Sequence, residues 1–197
     1  MGRRGIFLDR DGVLNHEVGY VRRLEDLTLL PGAAQAVRGL NDRGWFCGLA
    51  SNQAGAARGY YDLAHIDALH DRLRRLLWEE AGARLDAVYA CTALGATAGG
   101  CVPALTADST WRKPNPGMLV AAAWEWDVDL RRSFMVGDKA TDIDLARNCG
   151  CGAILVGTGY GDRVRQGTYQ HPVEPDFVAA DLAAAVAWLH LSQNLLP

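Results

Sequence analysis

Six short apolar runs recur along the chain with helical patterns between them, and this alternation limits the possible folds more than any other feature. The runs are Gly5–Asp9, Trp45–Ser51, Asp86–Ala90, Ser133–Gly137, Ala153–Gly157 and Asp176–Ala180. Most are continuous apolar stretches rather than alternating ones, the pattern of parallel strands buried on both faces. Between them, Ala33–Arg43 carries Ala33, Val37 and Leu40 on one face and stops at Gly44. Tyr61–Ala81 places Ile66, Leu69, Leu73, Leu76 and Leu77 at helical spacing, with its charges largely elsewhere. Pro116 predicts a helix start running to about Trp126, and Thr141–Cys149 a short helix ending at Gly150. Asp181 caps a last helix with Leu182, Val186 and Leu189 inward. Repeated strand–helix–strand units join through right-handed crossovers. The expected fold is α/β, a three-layer sandwich with a mainly parallel, Rossmann-like sheet. Ligands of such sheets bind beyond the carboxyl ends of the strands, so the chemistry should cluster just after Leu8, Ala50 and Val136.

The length of 197 residues suits one domain over 1–197. The Gly/Ala-rich stretch Cys91–Ser109 has little pattern and reads as a loop insertion at about 91–111, of the kind that is usually functional or mobile. With 49% hydrophobic and 22% charged residues, long disorder is not expected. A formal charge of -3, with arginines only in short scattered clusters, argues against a protein that tracks a phosphate backbone, so no nucleic-acid partner is expected. No stretch approaches the roughly 18 apolar residues of a membrane span, and no targeting segment is visible before Ile6-Phe7-Leu8. Five cysteines in an unsignalled chain suggest reduced thiols and a cytoplasmic location, and a monomer is the expectation.

Four segments carry the chemistry. Phe7-Leu8-Asp9-Arg10-Asp11-Gly12-Val13-Leu14-Asn15 sets two acids two residues apart at the end of a buried strand. One carboxylate can attack phosphorus while the second protonates the leaving oxygen and later activates water. Mg²⁺ held by hard oxygens would cancel the repulsion between carboxylate and phosphate. A calcium loop fails, because its fifth and twelfth positions would be Val13 and Tyr20. Leu49-Ala50-Ser51-Asn52-Gln53 offers a hydroxyl to phosphate oxygens, although it reads equally as a turn. Trp111-Arg112-Lys113-Pro114 supplies a lysine to neutralise a phosphoryl group and an arginine to grip a second anion. Val136-Gly137-Asp138-Lys139-Ala140-Thr141-Asp142 follows another strand end. There Asp138 could complete a magnesium site with Asp9, and Asp142 could be no more than a helix cap.

In order and spacing these segments resemble the haloacid-dehalogenase-like phosphatases over about residues 5–157. Within them the chain is similar to the branch that holds heptose-bisphosphate 7-phosphatases and the histidinol-phosphatase domain. The carrying residues are Leu8 to Asn15, Gly19-Tyr20-Val21, Leu30-Pro31-Gly32, Ser51-Asn52-Gln53, Ala57-Arg58-Gly59-Tyr60, Arg112 to Met118 and Val136 to Lys139. Arg112 and Gly117-Met118 favour the heptose side. The resemblance implies a fold without a large cap and a Mg²⁺-dependent phosphomonoester hydrolase working through an aspartyl-phosphate. The implied substrate is a sugar phosphate, D-glycero-D-manno-heptose 1,7-bisphosphate, losing its 7-phosphate. Histidinol phosphate or another small phosphate is the alternative, and a catalytically silent sugar-phosphate binder is the reading from another class. The presence of Asp9, Asp11 and Lys113 weighs against the silent binder.

By the same resemblance Asp9 is the nucleophile and Asp11 the general acid/base. Mg²⁺ is held by the Asp9 side chain, the Asp11 carbonyl and Asp138. Ser51 and Lys113 hold the transferring phosphoryl group. Arg112 and Lys139, read as spare cations, recognise the rest of the substrate, and Asn52 with the stretch Glu17, Gly19 and Tyr20 lines the entrance. One departure stands out. Relatives often carry structural zinc on Cys-x-His and Cys-x-Cys, whereas here Cys91 is followed by Ala93 at the histidine position, and Ser109-Thr110-Trp111 replaces the second pair. One ligand of four survives, which is short of a closed zinc shell, so no structural zinc is expected. Cys149 and Cys151 read as small buried thiols, and Trp78, Trp124, Trp126 and Trp188 as packing groups.

Overall fold

The computed structural model describes residues 2–192. Its strands are β1 (Gly5–Leu8), β2 (Phe46–Asn52), β3 (Ala87–Cys91), β4 (Phe134–Gly137), β5 (Gly152–Val156) and β6 (Phe177–Ala179). They form one wholly parallel six-stranded sheet in the order β3-β2-β1-β4-β5-β6. The helices are α1 (Ala33–Asn41), α2 (Leu63–Ala81), α3 (Gly117–Trp126), α4 (Ala140–Cys149), α5 (Gly161–Arg165) and α6 (Leu182–Ser192).

Successive residues of a strand point to opposite faces, and the core divides accordingly. Ile6 and Leu8 join one apolar layer with Val37 and Leu40 of α1, Leu69, Leu73 and Leu77 of α2, and Val186 and Leu189 of α6. Phe7 joins the other with Met118 and Leu119 of α3 and Ile143 and Leu145 of α4. This is the three-layer α/β sandwich that the continuous apolar runs demand. Strand bounds differ from the sequence reading by a residue or so. Helix α2 starts at Leu63 rather than Tyr61, because the Asp62 side chain accepts the His65 N–H at 2.8 Å and ends the extended backbone there. Asp181 accepts the Ala184 N–H at 2.8 Å at the start of α6, as its position suggested.

Helix α5 had no expectation to meet, since five residues are too few to show a period. One expectation fails. The tryptophans are not all packing groups: Trp188 stacks on Phe177 at 4.4 Å, but Trp78 is 60% and Trp124 90% exposed, and Trp126 is partly exposed. Helix α3 is apolar around most of its circumference. Periodicity therefore could not tell that Met118, Leu119 and Ala122 face the sheet while Val120 and Trp124 face out.

The site follows from topology. From β1 the chain builds outward through β2 and β3, then returns to the other side of β1 for β4. Strand order reverses there, which opens a crevice beyond the carboxyl ends. Leu8 pairs with both Leu49 and Val136, so the next residues, Asp9, Ala50-Ser51 and Gly137-Asp138, emerge side by side. The connections that follow, residues 9–32 after β1 and 53–62 after β2, are too short to build a domain-sized cap over them. Among the described residues no helix is long and apolar enough to cross a membrane.

Candidate active site

Asp9 leaves β1 with its N–H bonded to the Val136 carbonyl at 3.0 Å, which locks the nucleophile candidate between β1 and β4. Its carboxylate accepts the Arg10 N–H at 2.8 Å and faces the Lys113 ammonium at 2.9 Å. Lys113 also lies 2.6 Å from Asp142 and donates to the Ala50 carbonyl at 2.9 Å. All three charged groups are buried. Burial alone would raise the Asp9 carboxyl, but Lys113 and Lys139 outweigh it and hold it below the usual range. Burial likewise opposes the Lys113 charge, and Asp142 and Asp9 more than restore it. A carboxylate kept ionised in a dry site is what nucleophilic attack requires. The lysine is aimed by Asn52, whose amide accepts the Lys113 N–H at 3.0 Å and donates to its carbonyl at 3.1 Å.

Asp138 is fully buried at the end of β4. Gly12 and Gly159 close around it: each has positive φ (84° and 59°), and a Cβ on either would fall 2.3 and 2.2 Å from Asp138 Oδ2. Only glycine fits there. Tyr160 N–H donates to Oδ2 at 2.9 Å, while Oδ1 accepts no hydrogen bond, though Lys139 Nζ lies 3.4 Å away. Burial pushes the Asp138 carboxyl up to about 8, with Asp9 and Asp142 adding to the effect and Lys139 opposing it. Among the described residues the one group of carboxylates placed to share a metal is Asp9, Asp138 and Asp142, whose ligand atoms lie within 4.8 Å of one another. With Glu17, four carboxylates stand against the two ammonium groups of Lys113 and Lys139. An all-oxygen set with excess negative charge and an orphaned Oδ1 suits a hard divalent cation. Asp142 is thus more than a helix cap: it accepts the Lys139 N–H at 3.0 Å and also pairs with Lys113.

Every catalytic or substrate-binding residue named from the sequence lines one cleft of about 370 Å³: Asp9, Asp11, Glu17, Gly19, Tyr20, Ser51, Asn52, Arg112, Lys113 and Lys139. One part of the expectation is corrected. Lys139 is no spare cation, since it pairs with Glu17 at 2.8 Å and approaches Asp138. That partner lies 122 residues away in sequence, beyond the reach of pattern reading. Arg112 is different: half-buried, it donates a long bond, 3.4 Å, to the Ala93 carbonyl and has no carboxylate partner among the described residues. Trp111 turns away from the cleft and packs edge-on against Tyr89 at 5.9 Å.

The sequence reading missed the far wall. Thr141, Tyr160, Tyr169 and Gln170 line the cleft, with the two tyrosine rings stacked at 4.2 Å and Gln170 accepting the Ala140 N–H at 2.8 Å. Only the place of Tyr160, Tyr169 and Gln170 after β5, another strand end, could have pointed to them, and Thr141 stood without a role in the segment after β4. In the loop at 91–111, Cys91 is buried and Cys101 exposed. Neither belongs to any group of three or more metal-type ligands among the described residues.

Comparison with known proteins agrees with this geometry. Residues 110–185 match the family model described as HAD-hydrolase-like. The chain is 66% identical over 189 residues, 96% of both chains, to D-glycero-D-manno-heptose-1,7-bisphosphate 7-phosphatase of Thermosynechococcus vestitus. It is 36% identical to the D-glycero-beta-D-manno-heptose-1,7-bisphosphate 7-phosphatase of Pseudomonas putida, over 91% of this chain and 95% of that one. Among solved structures, the D,D-heptose 1,7-bisphosphate phosphatase of B. bronchiseptica, complexed with magnesium and phosphate, superposes with a TM-score of 0.82 at 35% identity, covering 96% of this chain and 99% of that one. With this fold, this site and relatives matched along their whole length, the chain is a phosphatase that belongs to the D-glycero-D-manno-heptose-1,7-bisphosphate 7-phosphatase family of haloacid-dehalogenase-like hydrolases.

Proposed function

We propose that this chain removes the 7-phosphate of D-glycero-D-manno-heptose 1,7-bisphosphate through an aspartyl-phosphate on Asp9. Asp9 attacks phosphorus as the bond to the C7 oxygen breaks, and Asp11 delivers a proton to that oxygen. Asp11 then takes a proton from the water that hydrolyses the acyl phosphate. Lys113 and the Ser51 hydroxyl hold the phosphoryl oxygens, and Lys113 keeps Asp9 ionised. Asp9, Asp138 and the Asp11 carbonyl would hold Mg²⁺, with Asp142 beside them, and the metal would neutralise charge on the transferring group. Asn52 aligns Lys113, while Glu17, Gly19, Tyr20 and Lys139 shape the mouth of the cleft.

The observation that carries the substrate reading is Arg112. A half-buried guanidinium at the cleft with no carboxylate partner among the described residues is costly unless a ligand supplies the anion. The second phosphate of a bisphosphate does so, whereas the ammonium of histidinol phosphate would be repelled. Losing this contact in Arg112→Ala should cost roughly 2–4 kcal/mol in kcat/KM for the bisphosphate and much less for heptose 7-phosphate. Phosphate release from both substrates by both proteins checks this. Equal losses, or a wild-type enzyme indifferent to the second phosphate, would overturn the two-anion reading.

A further inference from the structure

Arg10 is the largest fully buried side chain of the molecule, 1% exposed, and it stands between the two catalytic acids in sequence. Among the described residues its charge has one ion-pair partner, Asp11. The guanidinium meets Asp11 as a fork, Nε to Oδ1 at 3.2 Å and Nη2 to Oδ1 and Oδ2 at 3.0 and 2.9 Å. Two amides complete the grip: Asn15 Nδ2 donates to Asp11 Oδ1 at 2.9 Å, and Gln53 Nε2 to Oδ2 at 3.1 Å. The same Gln53 amide donates to Ser51 Oγ at 2.8 Å, tying the Asp11 carboxyl to the hydroxyl at the end of β2. Behind them His70 is buried with no partner for Nε2; burial first, then Arg10, pushes it down to about 4, so the ring is neutral and brings no rival charge.

We propose that Arg10 is a positioning residue for the general acid/base: with Asn15 and Gln53 it fixes the Asp11 carboxyl in one orientation at the cleft. A planar fork fixes both position and rotation of a carboxylate, which a lysine cannot do. A carboxyl held by a side chain that is itself immobilised in the core cannot drift between the leaving oxygen and solvent. The inference rests on the role given to Asp11 above and adds the device that makes that role efficient.

The test exploits the leaving group. An alkyl phosphate needs its leaving oxygen protonated as the P–O bond breaks, while p-nitrophenyl phosphate expels a stable phenolate and needs little help. The measured quantity is the ratio of kcat/KM for the sugar phosphate to kcat/KM for p-nitrophenyl phosphate. In Arg10→Lys that ratio should fall about 10- to 100-fold, part of the general-acid contribution. Gln53→Met, which removes one strand of the grip and keeps the core filled, should lower it about 3- to 10-fold and decides the matter if Arg10→Lys does not fold. Asp11→Asn is the reference. A fall in the ratio for Asp11→Asn but not for a folded Arg10→Lys or Gln53→Met overturns the positioning role. No fall for Asp11→Asn overturns the assignment of Asp11 itself. Equal losses on both substrates in the Arg10 and Gln53 variants would mean a purely structural residue and would also overturn the proposal.

Discussion

The strand ends around Asp9, which the Lys113 side chain reaches into, and the loop over residues 92–112 both contribute to one cleft, yet they are held together in opposite ways. At the strand ends, Asp9 and Asp138 are buried beside backbone that parallel pairing has already fixed, and the buried side chains of Lys113 and of Asp142 in α4 close on them. Each carries at least two polar or ionic contacts. The loop rests on much less. Ala57 O accepts Cys101 N and Val102 N at 2.8 and 3.1 Å, Arg58 donates to Ala98 O at 2.8 Å, and Leu94 packs with Ala54, Ala57 and Leu105. The loop is held by turn hydrogen bonds and a small apolar cluster. Buried ionic networks tolerate little change, and small satellite clusters tolerate more. On the proposed roles the chemistry sits on the rigid part, and the loop carries Arg112 to the cleft.

The largest effect should come from the rigid part. Asp9→Asn keeps the shape and loses the attacking charge, so turnover should fall by at least about 10⁴-fold, over 5 kcal/mol of barrier, with the melting curve little changed. A variant retaining a tenth of the wild-type rate would remove Asp9 from its role. Next is the metal. EDTA should abolish phosphate release and Mg²⁺ restore it, because the shared ligands are all oxygens. Elemental analysis should find less than about a tenth of an equivalent of zinc, and one equivalent would show that the loop is metal-held after all. Third, Lys113→Met leaves Asp9 and Asp142 buried without their cation and should cost about 3–5 kcal/mol of stability in urea melts, besides activity. The smallest effect belongs to the loop. Leu94→Ala empties a cluster that can partly collapse, so about 2 kcal/mol of stability is expected. Its kinetic mark should be a raised KM for the sugar phosphate at nearly constant kcat. If Leu94→Ala instead destabilised as much as Lys113→Met, the contrast between the two regions would fail.

How the chain encodes this division can be followed residue by residue. Short-range pattern carried the elements: six apolar runs, most of them continuous, read as parallel strands covered on both faces, and acids placed directly after them meet at the carboxyl ends. Asp9, Asp11, Ser51, Asn52 and Asp138 were legible as cleft residues for that reason, and Lys113 through its place before a helix start and the family resemblance. The partners of those residues were not. Lys139 looked free until Glu17 was brought to it across 122 residues. Arg10 and Gln53 had no assigned role until folding closed them on Asp11, and Tyr160, Tyr169 and Gln170 had only their place after β5 to point to them. A strand end is set by hydrogen bonding and burial over a few residues, which sequence records directly. Which charge neutralises which, and which side of an evenly apolar helix such as α3 faces water, depends on what the sheet places opposite it, and only the tertiary structure decides that.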